Sequence, residues 1–161
     1  NYDGPVYLRF GRPKVPNFTS ADQKFEIGKA LHLKEGNDVT IFATGHLVWE
    51  ALEAAKELAA QSIIAEVINI HTIKPLDDEL ILKSVQKTGC LVSAEEHNYL
   101  GGMGESIAGL LATQHPCPME FVATQDTFGE SGTPAQLMAK YGLDKTAIVK
   151  KVLAVRKRIK I

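Results

Sequence analysis

The chain lacks an excess of charge of either sign: 18 lysines and arginines stand against 19 aspartates and glutamates, a formal net charge of −1 at pH 7. That balance removes the global field that would recruit nucleic acid or an anionic membrane surface. Cysteine is scarce. Cys90 and Cys117 have no C-x-x-C spacing, and Cys90 sits in the apolar run Cys90-Leu91-Val92, which points to a reduced, cytosolic setting. No stretch approaches the ~18 consecutive apolar residues of a membrane span. The N-terminus lacks the basic and apolar regions of a signal peptide, so a soluble, cytoplasmic protein is expected. There is no internal repeat and no low-complexity tract. There is also no initiating methionine: Asn1 stands directly before the extended pattern Gly4 to Phe10, which reads as a cut through a longer polypeptide. What is present is ordinary globular material. A chain of 161 residues, 45% hydrophobic and 23% charged, is long enough for one domain with a real core.

The pattern along the chain is one of strands alternating with helices. Residues 5–10 alternate as a strand would, and the prolines from Arg12 to Asn17 then bar a helix and make a linker. Phe25-Glu26-Ile27 and Ala30-Leu31-His32-Leu33 read as short strands, and a turn at Glu35 to Asp38 leads into a strand at 39–43. Residues 46–60 carry Leu47, Val48, Ala51, Leu52, Ala55, Leu58 and Ala59 at the spacing of an amphipathic helix. A strand at 63–70 follows, then a helix begun by Pro75, capped by Asp77 or Asp78 and ended at Gly89. A strand at 90–94, a helix at 104–113, a strand at 119–123, a short helix near 134–140 and a last helix at 144–158 complete the series. Such alternation implies a parallel sheet covered on both faces, with right-handed crossovers.

The densest group of candidates is Glu95-Glu96-His97-Asn98-Tyr99-Leu100-Gly101-Gly102-Met103-Gly104-Glu105, where a buried strand passes through three glycines into a helix. Glycines before a helix N-terminus suit a dinucleotide pyrophosphate. The spacing argues against that: Ile107 stands where a third glycine would fall, and no acidic residue ends a second strand in the right place. A tight, closely packed turn is the better reading. Glu95 and Glu96 are adjacent on an extended strand, so only one can point into a common cleft. Together with His97 they could act as an acid/base pair, but capping the turn or contacting a facing subunit is the favoured reading. No zinc pattern exists, and His46, His71 and His115 are too scattered in sequence to complete a metal site. Ser131-Gly132-Thr133 lies in a loop and reads as a helix cap, because no nucleophile elbow surrounds it. Lys150, Lys151, Arg156, Lys157, Arg158 and Lys160 alternate with apolar residues as on a helix with one solvated basic face. Arg9 and Arg12 flank the start of the linker, where a guanidinium can meet a phosphate through two hydrogen bonds, although spacing alone favours a solvent-exposed or salt-bridged pair.

Taken in order, these landmarks resemble the carboxyl-terminal part of the transketolase family of thiamine-diphosphate enzymes, which includes the deoxyxylulose-phosphate synthases and the β subunits of 2-oxo acid dehydrogenases. Gly4 to Arg12 resembles the last strand of the family's pyrimidine-binding domain. Ile27 to Ala30, Asp38 to Gly45, Ile73-Lys74-Pro75-Leu76-Asp77, Glu95-Glu96-His97 with Gly101-Gly102-Met103-Gly104, and Tyr141-Gly142-Leu143-Asp144 resemble landmarks of its third domain. His71 to Pro75 is most similar to transketolases encoded as separate amino- and carboxyl-terminal sections. The resemblance implies a pyrimidine-domain end and linker at 1–21, and a transketolase C-terminal domain at 22–161. It implies a three-layer αβα fold around a mostly parallel, five-stranded mixed sheet with one early antiparallel strand. It also implies an enzyme that moves a two-carbon ketol unit between sugar phosphates in pentose phosphate metabolism, using thiamine diphosphate and Mg²⁺. The diphosphate motif, the catalytic glutamate and the substrate histidines of the family are not among these residues. No catalytic residue, metal or cofactor is therefore expected in this chain alone. Arg12, with Arg9 as helper, resembles the arginine that grips the substrate phosphate. Glu95, Glu96, His97, Gly101, Gly102 and Gly104 are the expected interface turn of a homodimer whose other partners are the remaining domains or an N-terminal subunit. A free-standing nucleotide- or regulator-binding module is the alternative from another functional class.

Overall fold

A computed structural model describes residues 3–8, 11 and 14–159. Its centre is a five-stranded sheet. In chain order the strands are β1 (Leu31–Lys34), β2 (Val39–Ala43), β3 (Ala65–Asn69), β4 (Leu91–Asn98) and β5 (Met119–Thr124). In space they run β1-β3-β2-β4-β5. β2 to β5 are mutually parallel where they pair, and β1 lies antiparallel on β3. Helices α1 (Leu47–Ala59), α2 (Asp78–Thr88), α3 (Met103–Gln114), α4 (Pro134–Tyr141) and α5 (Lys145–Arg156) supply the connections and the last turns of chain.

The period-2 alternation of side chains sorts the core into two faces. Val39, Ile41 and Ala43 of β2, Ala65 and Val67 of β3, and Val92 and Ala94 of β4 meet α1 and α5. Phe42, Ile68 and Leu91 point the other way, onto Ile81 and Val85 of α2 and Ile107 and Leu111 of α3. Both faces of the central strands are therefore dry, which is why β2 reads as an unbroken apolar run rather than an alternating one. This is the expected three-layer αβα arrangement, including the single antiparallel strand.

Local chemistry sets the ends of the elements. Asp77 caps α2 by accepting from the Leu80 amide at 3.3 Å, and its other oxygen accepts from the amide of Ala30 at 2.8 Å, tying the start of the domain to the helix. Gly89 closes α2 in the left-handed conformation. Thr133 and Gln136 form a reciprocal capping box at α4, which fulfils the capping role read from Ser131-Gly132-Thr133. Because α4 buries none of its side chains, Thr133→Ala is expected to cost about 1 kcal/mol locally. Amide exchange over residues 134–141 should rise while the global unfolding midpoint barely moves.

Four boundaries differ from the sequence reading. Residues 5–8 form no strand; among the described residues none pairs with them, and a lone extended segment cannot hold itself in water. Phe25 to Ile27 also forms no strand, since the chain turns there through a bond from the Lys29 amide to the Glu26 carbonyl. Helix α2 begins at Asp78, three residues after Pro75. In the opposite direction, β4 extends past residue 94 to Asn98, because its ladder with β5 resumes at Asn98 opposite Thr124 after an irregularity.

Candidate functional site

Open parallel sheets present ligands at the carboxyl ends of their strands. Here that edge carries His46 after β2, Glu95, Glu96, His97 and Asn98 at the end of β4, and Thr124 at the end of β5. The alternation of side chains along β4, with Leu91 and Val92 on opposite faces, carries on to the acidic pair and sends its two members to opposite sides. Glu95 turns inward and is 1% exposed. Its two oxygens accept from the amides of Met103 and Gly104, each at 2.8 Å. His97 Nδ1 lies 3.4 Å away on the exposed side. The first turn of α3 is thus closed by a carboxylate delivered from the adjoining strand.

The glycines follow from that closure. Gly101 takes φ +74, in the left-handed region, while its amide donates to Glu105 Oε2 at 2.6 Å. A Cβ at Gly102 would stand 2.6 Å from both Glu95 oxygens, and one at Gly104 would stand 2.6 Å from Phe121 and Ser93. The motif is a close-packed turn built around an internal anion. The space at the helix N-terminus that would take a pyrophosphate is already filled by Glu95, and a second negative group there would be repelled.

Glu96 turns outward. Its Oε2 lies 3.0 Å from His46 Nδ1, across the ends of β4 and β2. The pair borders a cavity of about 500 Å³ whose walls include Val15, Trp49, Met138 and Tyr141. Glu50, also at this cavity, accepts the Lys145 amide at 2.8 Å and so pins the start of α5 to α1.

The family profile described as "Transketolase, C-terminal domain" matches residues 28–148. The chain belongs to the transketolase C-terminal domain family. It is 46% identical over 157 residues to the 6-deoxy-6-sulfo-D-fructose transketolase subunit SqwH of Clostridium sp. (strain MSTE9), a match that spans 98% of this chain and 49% of that protein. It is 39% identical over 153 residues to 1-deoxy-D-xylulose-5-phosphate synthase 1 of Geobacter sulfurreducens, spanning 92% of this chain and 24% of the synthase. Among solved structures, a split-gene transketolase in the form of an inactive β4 tetramer superposes with a TM-score of 0.86 at 44% identity, over 89% of this chain and 47% of that one. The chain thus spans about half the length of the split transketolase subunits it resembles.

This transketolase C-terminal domain also carries a polar centre that the sequence reading missed. Glu66, in the middle of β3, is 2% exposed. Its Oε1 meets His32 Nε2 at 2.8 Å and Lys87 Nζ at 2.6 Å, and its Oε2 accepts from Thr40 at 2.8 Å. His32, Glu35 and Glu66 bring their ligand atoms within 4.8 Å of one another, as a metal would require. The Lys87 ammonium already serves as the cation there, 3.5 Å from Glu35 as well. Burial alone would raise the Glu66 pKa, yet the hydrogen bonds from Lys87, Thr40 and His32 outweigh it and hold the carboxyl below its ordinary 4.5. A signal was there to be read: one glutamate inside the apolar strand Ala65–Asn69 demands a buried partner.

The remaining candidates separate. His71 stacks near Phe25, with ring centroids 4.5 Å apart, and stands away from the acidic pair. The basic face of α5 is partly neutralised inside the domain. Lys151 and Arg158 pair with Glu120 at 2.8 and 2.9 Å, and Arg156 with Asp38 at 3.4 Å. Hydrogen bonding from Lys151, reinforced by Arg158 and only partly opposed by burial, lowers the Glu120 pKa. Burial raises the Cys90 pKa to about 11, which keeps that thiol protonated and inert. Arg9 and Arg12 lie outside the described residues.

Proposed function

We propose that the chain is the carboxyl-terminal part of an enzyme that transfers a two-carbon ketol unit between sugar phosphates. In this reading residues 1–21 end the pyrimidine-binding domain and form the linker, and residues 22–161 are the assembly domain. Thiamine diphosphate held through Mg²⁺ elsewhere in the full enzyme supplies a carbanion nucleophile. The residues described here do not fit that group. The helix N-terminus best placed for a diphosphate carries Glu95, and the Glu66 carboxylate that would attract Mg²⁺ is neutralised by Lys87.

This chain's own contribution is then twofold. Arg12, assisted by Arg9, grips the substrate phosphate, since a planar guanidinium pairs two phosphate oxygens at once. The turn at Glu95, Glu96, His97 and Gly101 to Gly104 presents exposed Leu100 and Ile73 to the remaining domains, or to a second copy across a homodimer axis in the cytoplasm. The observation that carries the non-catalytic reading is the carboxylate of Glu95, which turns the most receptive spot of the fold into packing. The inactive β4 form of the split-gene relative supports it.

Ketol transfer assayed with this chain alone, and again after adding the complementary domains with thiamine diphosphate and Mg²⁺, tests the reading. Turnover is expected only in the second mixture. Turnover by the chain alone would overturn it, as would thermal stabilisation of the chain by a nucleotide, the result expected of a free-standing binding module.

A further inference from the structure

Leu137, Met138 and Tyr141 share one face of α4, and none of the three is fully buried. Met138 and Tyr141 touch the edge of the core that packs beneath α1 and α5. The rest of that face looks onto the cavity of about 500 Å³ bordered by His46 and Glu96, whose other walls include Trp49 of α1. Open space thus stands between two helices where a packed domain would place side chains. Its volume suits a small molecule. Its position also suits a ligand, since His46, Glu96 and Thr124 mark the carboxyl ends of β2, β4 and β5.

The wall of this cavity selects by charge. Glu50, Glu96 and Glu130 bring carboxylates to it, and no lysine or arginine stands among its described residues. Two of the three are engaged: Glu50 accepts the Lys145 amide, and Glu130 pairs with Lys140 at 2.5 Å. Glu96 keeps capacity to spare, because His46 faces only its Oε2 and Oε1 meets no donor among the described residues. An anionic ligand would lose its hydration here without gaining a cation, which rules out a phosphorylated one. An ammonium group would gain Glu96 and the aromatic rings of Trp49 and Tyr141, whose faces attract cations. Trp49 shows that affinity within the chain, where Lys56 Nζ stands 5.4 Å from its ring centroid. We propose that the cavity between α1 and α4 binds a small organic cation with an apolar or aromatic body. Its ammonium sits on Glu96 and its body lies along Trp49, Met138 and Tyr141. Such a ligand gives α4 the packing partner it lacks and draws the helix toward α1. The site lies on the side of β4 away from the Glu95 turn, so binding and assembly use different surfaces.

The test uses the 161-residue chain, whose single tryptophan is Trp49, so intrinsic fluorescence reports on this cavity. Three probes carry the same ring on a short arm: phenethylammonium, neutral 2-phenylethanol and anionic phenylacetate. Phenethylammonium should change the Trp49 emission along a saturable curve with a roughly millimolar midpoint, as suits so small a ligand. The alcohol should bind about tenfold more weakly, and phenylacetate should give no saturable change. Glu96→Gln should weaken binding of the amine about tenfold while leaving that of the alcohol unchanged. Because Glu96 is itself half-exposed, that variant keeps the fold. Ala135→Phe, which fills the cavity from α4, should abolish the response to the amine. Amide exchange over residues 134–141 should slow when the amine is present. Equal binding of the three probes, an unaltered affinity in Glu96→Gln, or no saturation by the amine up to about 10 mM would overturn the proposal.

Discussion

Glu95→Ala is expected to destabilise the domain by about 2–4 kcal/mol, because it removes a buried charged acceptor and leaves two amides in the first turn of α3 without partners. Its size follows from burial. An exposed carboxylate at a helix N-terminus contributes only about 0.3–1 kcal/mol, but Glu95 is shielded, and water can reach the freed amides only by opening the turn. Glu95→Gln keeps one acceptor and directs an amide nitrogen at the other donor, so an intermediate loss of about 1–2 kcal/mol is expected. Urea unfolding at neutral pH reads both, as a shift of midpoint at unchanged slope. If Glu95→Ala stayed within about 0.5 kcal/mol of the parent, the internal-anion account of the glycine turn would be wrong.

The second large effect concerns Lys87. Lys87→Met should cost about 2–4 kcal/mol, somewhat less than breaking a fully buried pair, since its side chain keeps 35% exposure. Combining it with Glu66→Gln should return much of the loss, because the charge that needed a partner is gone. The pH dependence carries a sharper signature. In the parent, Glu66 has a folded pKa below its unfolded 4.5, so the folded state binds that proton less readily. Its contribution is complete above 4.5 and is lost as pH falls through the folded value. For Lys87, burial opposes the charged form, but the Glu66 hydrogen bond and the charges of Glu66 and Glu35 prevail and raise its pKa above 10.5. That contribution is complete below 10.5 and is lost as pH rises through the folded value. Removing Lys87 takes away the strongest of the hydrogen bonds that lower the Glu66 pKa while burial, which raises it, stays, so the folded pKa should rise and the loss of stability on acidification should shrink. Stability measured as pH falls from about 6 through the carboxylate range near 4.5 decides the matter, and a Lys87→Met protein that weakens toward acid as steeply as its parent would refute the account.

The features legible in the sequence were those governed by neighbours along the chain. Asp77 and Gly89 bracket α2 because a capping carboxylate and a left-handed glycine act within a turn of where they stand. The apolar stripe of α1 was visible for the same reason. Misreadings arose where pairing across space decides. Residues 25–27 have strand composition but no ladder, and the strand read as ending at residue 94 runs on to Asn98, where its ladder with β5 resumes. The candidate site divides the same way. That only one of Glu95 and Glu96 could enter a cleft follows from strand geometry, and the structure sends them to opposite sides. The His46–Glu96 pair and the Glu66 centre join residues separated by many intervening ones, so periodicity could not reveal them. With strand order in hand the first becomes readable, since Ala43 and Ala94 stand opposite each other and His46 and Glu96 follow them closely.

The reversal of β1 has an architectural effect on how the preceding residues reach the sheet. Because Leu31 sits opposite Asn69, the chain enters the sheet at the rim where the parallel strands finish. Had β1 run with the others, its first residue would lie at the far rim, a strand length of roughly 17–20 Å away, and the incoming segment would have had to traverse the flank of the sheet. The inverted strand spares the chain that detour. The segment leading into β1 thereby arrives at the same rim of the sheet as the ends of β2 and β4, where His46 and Glu96 meet.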